Sequence, residues 1–150
     1  MKIWYRKPTL AQLNERCKET LAETLAMEYT EIGADYLAAK MPVDRRTHQV
    51  LKLLHGGASV ALAETVGSTA AQLTVDPKAY FVVGQSIFST HLRPVRSGFV
   101  YAVTRPIHLG RKTQVWDIDV TDDNQNRIHA SRLTLAVLPN DGKVTVPSFS

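Results

Sequence analysis

At 150 residues, 44% hydrophobic and 21% charged, the chain matches one globular domain over 1–150 and shows no mark of disorder or low complexity. Its one cysteine, Cys17, excludes an intramolecular disulfide framework and suits a reducing compartment. Net charge is a modest +4, no stretch is apolar and long enough for a bilayer-spanning helix, and "MKIWYRKPTL" lacks a signal-peptide core, so the expected location is cytoplasmic, with no membrane partner.

Thr9 has the character of an N-cap, and Leu10, Leu13, Cys17, Leu21 and Leu25 follow it on one stripe; the pattern predicts an amphipathic helix over 9–26. "MEYTEIGADYLAAKMPV" alternates around a Gly-Ala-Asp turn and predicts strands over 27–32 and 36–43. "DRRTHQVLK" is polar and loop-like. The Ala-rich segment after it predicts a buried helix over 57–73. "AYFVVGQSIFSTHLRPV" is a long β-type run that Pro94 closes, and "GFVYAVTRPIHLG", "KTQVWDIDVTD" and "RIHASRLTLAVL" supply three further strands. Strands grouped on both sides of one long helix predict an antiparallel α+β fold whose sheet packs one face on that helix.

Over 53–73 the single formal charge is Glu64. Either it faces solvent, as a lone Glu in an Ala-rich helix commonly does, or the chain tolerates a partly desolvated carboxylate because the group has a task. Val60, Gly67 and Ser68 are expected on its face of the helix. Upstream, His55-Gly56-Gly57 marks either a tight turn or a helix start whose free N–H groups could stabilise an oxyanion. At about 1.5 Å per residue, Gly56 and Glu64 stand roughly 12 Å apart on one helix, too far to act on one carbonyl. A second copy packed antiparallel across a two-fold axis would bring one Glu64 beside the other Gly56, so a catalytic role implies at least a dimer.

Other chemistry has less support. Ser59 lacks a nucleophile elbow, because Ala61 stands where that motif has Gly. Cys17 falls on the predicted apolar stripe, and His48 and His55 have no zinc-ligand spacing, so no metal site is expected. Between 77 and 116 there is no acidic residue, while Lys78, Arg93, Arg96, Arg105, Arg111 and Lys112 are all present. Such a zone is either a solvated surface or a seat for a phosphate-rich ligand. Nucleic-acid motifs are lacking.

Taken in order, "MPVDRRTHQ", "LLHGGASVALAETVGS", "HLRPVRSG", "HLGRKTQVW" and "SRLTLAVL" resemble the hotdog-fold acyl-CoA thioesterases, in the branch of the dihydroxynaphthoyl-CoA and enterobactin-proofreading thioesterases. The likeness covers nearly the whole chain. It implies a long central helix wrapped by an antiparallel sheet, a homodimer at minimum and a homotetramer as the common assembly. It also implies hydrolysis of an acyl-CoA without metal or bound redox cofactor. Glu64 matches the catalytic nucleophile or general base, Gly56 the oxyanion-hole N–H, Gln49 and His55 the residues lining the thioester, and Ser68 a residue that helps place the water. Gly84 matches a residue near the ligand. His91, Leu92, Arg93 and Pro94, and His108, Leu109, Gly110, Arg111, Lys112 and Thr113, match loops that contact coenzyme A. A partly buried Glu64 is expected to have a raised pKa yet remain ionised at physiological pH.

The chain departs from that branch at Val50-Leu51-Lys52 and at "SIFST", near the acyl or pantetheine channel, leaving aliphatic, phenylacetyl-like and hydroxyaroyl groups all open. A non-catalytic acyl-CoA-binding module would keep the basic loops without needing Glu64. A hydroxyacyl-thioester dehydratase would need a catalytic His and an acid, but the proline-rich stretch of those enzymes is absent.

Overall fold

A computed structural model describes residues 2–142 and 144–149. In chain order it has α1 (Leu10–Glu15), α2 (Leu21–Thr24), β1 (Glu28–Ile32), β2 (Leu37–Pro42), α3 (Gly56–Leu73), β3 (Tyr80–His91), β4 (Phe99–Leu109), β5 (Thr113–Asp122) and β6 (Arg127–Pro139). The six strands form one antiparallel sheet in the order β1-β2-β4-β5-β6-β3. Helix α3 packs against β2 through β6, the α+β arrangement of a sheet around one long helix that the sequence predicts.

The alternation in β5 is what seats the sheet. Gln114, Trp116, Ile118 and Val120 are buried while their neighbours are partly or fully exposed. On α3, Ala58, Ser59, Leu62, Ala63, Val66, Gly67, Ala70, Ala71 and Leu73 are buried, and their small size lets the helix lie low on the strands. Gly67 shows how low: a Cβ there would stand 2.6 Å from Leu133 Cδ2. Gly67 therefore faces the sheet and not the Glu64 side of the helix. Past the end of α3, Thr74 Oγ1 accepts from Gln114 Nε2 at 2.8 Å, and Gln114 Oε1 accepts from Trp116 Nε1 at 2.9 Å. Trp4 stacks on Trp116 with centroids 6.4 Å apart, tying the N-terminal segment to the core.

The long N-terminal helix predicted over 9–26 is two short ones. Thr9 does cap α1, in a capping box with Gln12. The chain then leaves the helix because Asn14 bonds across to β1, donating to Tyr29 O at 3.1 Å and accepting from Tyr29 N–H at 2.8 Å. Cys17 and Lys18 close tight turns, and Glu19 takes a left-handed φ of 59°. The Glu23 carboxylate then accepts the Glu19 N–H at 2.7 Å as α2 begins. Leu13 and Cys17 are buried, but Leu21 is 58% exposed, so the apolar stripe does not continue.

Candidate active site

His55 is the N-cap of α3, in extended backbone, and its Nδ1 accepts the Gly57 N–H at 2.8 Å. That bond puts the ring proton of neutral His55 on Nε2. Gly56 is the first helical residue, one earlier than predicted, and among the described residues no acceptor takes its N–H. The donor is free at the positive end of an 18-residue helix. A Cβ on Gly56 would lie 2.8 Å from His91 Nε2, so glycine is what lets the His91 ring close over this backbone.

The segment before α3 is held in place by its own bonds. Thr47 is buried and donates to Pro42 O at 2.8 Å, Leu54 N–H reaches Val95 O at 2.7 Å, and a His48 Nε2–Arg96 O hydrogen bond spans 2.9 Å. Gln49 N–H bonds Leu53 O, and its side-chain Oε1 accepts from Leu51 N–H. Gln49, Gly56, Ser59, His91, Arg93 and Pro94 thereby line one cleft of about 320 Å³.

Behind His91 lies a polar chain that sequence reading missed. The Nδ1 atoms of His91 and His129 are 3.1 Å apart, His129 Nε2 contacts Ser131 Oγ, and Ser131 Oγ is 2.8 Å from Ser89 Oγ. His129 is fully buried; that burial, with the neighbouring His91, lowers its pKa to about 4 and keeps it neutral. Each link needs one donor and one acceptor, so the tautomer of His129 decides whether His91 offers an N–H or a lone pair to the cleft. A signal was present: His129 and Ser131 have the same parity on β6 as Leu133 and Leu135, which is the inward face.

Glu64 is half-buried, and burial raises its pKa. Among the described residues, no cation or hydrogen-bond donor pairs with it. Its Oε1 rests against Gly84 of β3, where a Cβ would overlap it. The strand is bulged between Gly84 and Ser86, so its pairing with β6 is irregular at the point where the carboxylate sits. Ser68, one turn beyond, is half-buried and borders a second cavity of about 520 Å³ together with Thr65 and Val83.

The two basic segments do not meet within one chain. His91, Leu92, Arg93 and Pro94 leave the end of β3, whereas His108, Leu109, Gly110, Arg111, Lys112 and Thr113 form the β4–β5 hairpin, closed by a 2.9 Å Gly110 N–H to Thr113 O bond. Thr113 pairs with Ala136, which pairs with Val83, eight residues before His91 on β3. At about 3.3 Å per residue this separates the segments by roughly 26 Å along the sheet. Arg93, Arg111 and Lys112 are exposed and form no salt bridge among the described residues. Arg105 has a surface role: it reaches Asp35 at 3.4 Å and lies 4.4 Å over the Tyr36 ring. Among the described residues there is no metal-binding cluster, and no helix is long and apolar enough to cross a membrane.

Residues 51–129 match the family model of the Thioesterase superfamily. The proofreading thioesterase EntH of Cronobacter turicensis is 50% identical over 136 residues, 91% of this chain and 98% of that protein. The crystal structure of thioesterase HI1161 from Haemophilus influenzae superposes with a TM-score of 0.91 at 44% identity, covering 95% of this chain and 99% of that one. A mutant of thioesterase PA1618 from Pseudomonas aeruginosa superposes with a TM-score of 0.91 at 46% identity, covering 92% and 99%.

Proposed function

The chain belongs to the thioesterase superfamily and is a thioester hydrolase, and from that membership we propose that it hydrolyses an acyl-CoA in a site shared by two subunits. The observation that carries the shared site is the pair of contacts along β3. Glu64 rests on Gly84 and Gly56 lies under His91, seven residues further on. β3 is an edge strand with β6 as its one neighbour, and Phe88 near its middle is 79% exposed. Two copies of β3 paired antiparallel about Phe88, with Gln85 as the extra residue of the bulge, set Gly84 opposite His91 of the partner subunit. Glu64 then faces Gly56 of the partner subunit, and an aromatic side chain otherwise in water is covered.

In that site the thioester carbonyl oxygen accepts the free Gly56 N–H, and the positive end of α3 stabilises the developing oxyanion. Glu64, from the other subunit, either attacks the carbonyl carbon or takes a proton from water as the water attacks. On the base route the C–S bond then breaks and the departing sulfur takes the proton that Glu64 accepted from water; on the nucleophile route the thiolate leaves a mixed anhydride on Glu64, which water hydrolyses to the free acid. A carboxylate with no ion partner, whose pKa burial raises, is a stronger base than an ordinary Glu. Ser68 helps position the water, while Gln49 and His55 line the thioester. The same pairing brings the loop after β3 of one subunit to the sheet end that holds the β4–β5 hairpin of the other. Arg93, Arg111 and Lys112 then surround the nucleotide phosphates of one coenzyme A.

The test is thiol release from a panel of acyl-CoAs by wild type and Glu64→Gln, with sedimentation to read the assembly. Rapid release that collapses in the variant, from a protein no smaller than a dimer, is expected. Turnover by a strict monomer, or a Glu64→Gln protein as fast as wild type, would refute the shared site.

A further inference from the structure

The 520 Å³ cavity beside Ser68 is of a size that holds a substrate's acyl part. Most of its wall is apolar: Leu13 of α1, Tyr29 of β1, Val82 and Val83 of β3, and Phe149. Two cations interrupt that wall, Arg6 and Arg16. Arg16 Nε is sealed from solvent and has no hydrogen-bond partner. Its guanidinium lies 3.5 Å from the centre of the Phe149 ring, which fixes the plane of the fork. Among the described residues, no carboxylate forms a salt bridge with Arg16 or Arg6.

A guanidinium drawn from water, beside a second one and without an acid, is unfavourable. Desolvation, and then the charge of Arg6, hold the Arg16 pKa below its usual value. An anion arriving between the two would relieve both effects, and a carboxylate matches the Arg fork with two parallel N–H···O bonds. Thr65, Ser68 and Val83 line the same cavity and adjoin Glu64 and Gly84 in the chain, so part of its wall is built next to the carboxylate.

We propose that this cavity receives the acyl chain and that Arg16, with Arg6, binds a carboxylate at its far end, making thioesters of dicarboxylic acids the preferred substrates. The inference rests on the acyl-CoA reading above and adds the substrate class. The anion is held by the two cations, and the apolar wall covers the methylenes between carboxylate and thioester. Thr65, Thr69 and Ser68 offer hydroxyls along the way.

The experiment compares mono-CoA thioesters of four-, six- and eight-carbon dicarboxylic acids with straight-chain acyl-CoAs of equal length. Hydrolysis is read as kcat/KM in wild type, Arg16→Met and Arg16→Lys. Binding is read by calorimetry on Glu64→Gln protein with and without Arg16→Met. At the best length, wild type is expected to favour the carboxylated substrate at least tenfold. The preference should fall to about one in Arg16→Met and to an intermediate value in Arg16→Lys, which keeps the charge without the fork. A ratio near one in wild type at every length, with brisk hydrolysis, overturns the carboxylate site and leaves the thioesterase reading intact. A calorimetric preference that Arg16→Met erases, with no hydrolysis of any thioester, overturns the acyl-CoA hydrolase reading while the anion site stands. Thermal unfolding of each variant shows that the comparison is made on folded protein.

Discussion

Replacing Gly84 with Ala tests the seat of the carboxylate directly. The added Cβ would overlap Glu64 Oε1, and the atom in its way is the tip of a flexible side chain. Gly84 itself is on an exposed stretch of β3, where Ala removes backbone freedom from the unfolded chain and leaves stability within about 1 kcal/mol. The fold should therefore survive while Glu64 rotates away from the position proposed for it beside the thioester. A misplacement of about 1 Å in a reacting group costs on the order of 100-fold in rate, equivalent to about 2.7 kcal/mol at the transition state. The assay is thiol release under saturating acyl-CoA, beside thermal unfolding and sedimentation of the same preparation. The expected result is a kcat near 1% of wild type with melting temperature and assembly unchanged. A kcat within twofold of wild type would refute the reasoning that the Glu64–Gly84 contact fixes the reactive geometry.

Glu64→Gln should lower kcat by about 10²- to 10⁴-fold. It should also raise stability at neutral pH, measured by urea unfolding: a carboxyl whose folded pKa is raised favours the fold below its unfolded pKa and loses that contribution as pH rises through the folded value. For the same reason the acid limb of kcat/KM in wild type should lie above the ordinary carboxylate range, and an acid limb at ordinary carboxylate values would count against Glu64 as the ionising group. His129 has the opposite sign. Lowered from 6.5 to about 4, it favours the fold above its unfolded pKa, and about 3 kcal/mol should be lost as pH falls from 6.5 through 4. In His129→Leu the melting temperature should be lower at neutral pH but should lose most of that acid dependence. Cys17 is buried and burial raises its pKa, so an Ellman-type reagent should leave it unmodified until the protein unfolds.

Period and parity made most of the strands and α3 legible, because β5 buries alternate residues and α3 carries too many small side chains for a surface helix. Gly56 and Glu64 stood out because each breaks local expectation, one as a glycine at a helix start and the other as a charge among Ala, Val and Leu. The break after α1 could not be read, since it depends on Asn14 bonding to Tyr29, fifteen residues away. His129 was hidden for a similar reason: parity turns it inward, but its partners come from β3. The cations of the larger cavity were invisible too, because the folded chain gathers Arg6 and Arg16 against β3 and Phe149. Whether the two basic loops can share a ligand, as proposed, depends on strand register and on pairing with a second copy.

In the proposed mechanism helix α3 carries the oxyanion donor at its first residue and the carboxylate eight residues on, so one rigid rod would contribute opposite halves to two different sites. Genetics should register that division of labour. A subunit spoiled at Glu64 and a subunit spoiled at Gly56 are each inactive as pure dimers, yet when mixed they build one site from two intact halves and a second from two damaged ones. Random reassociation of equal amounts makes half of the dimers hybrid, and about a quarter of wild-type activity returns from two dead parents.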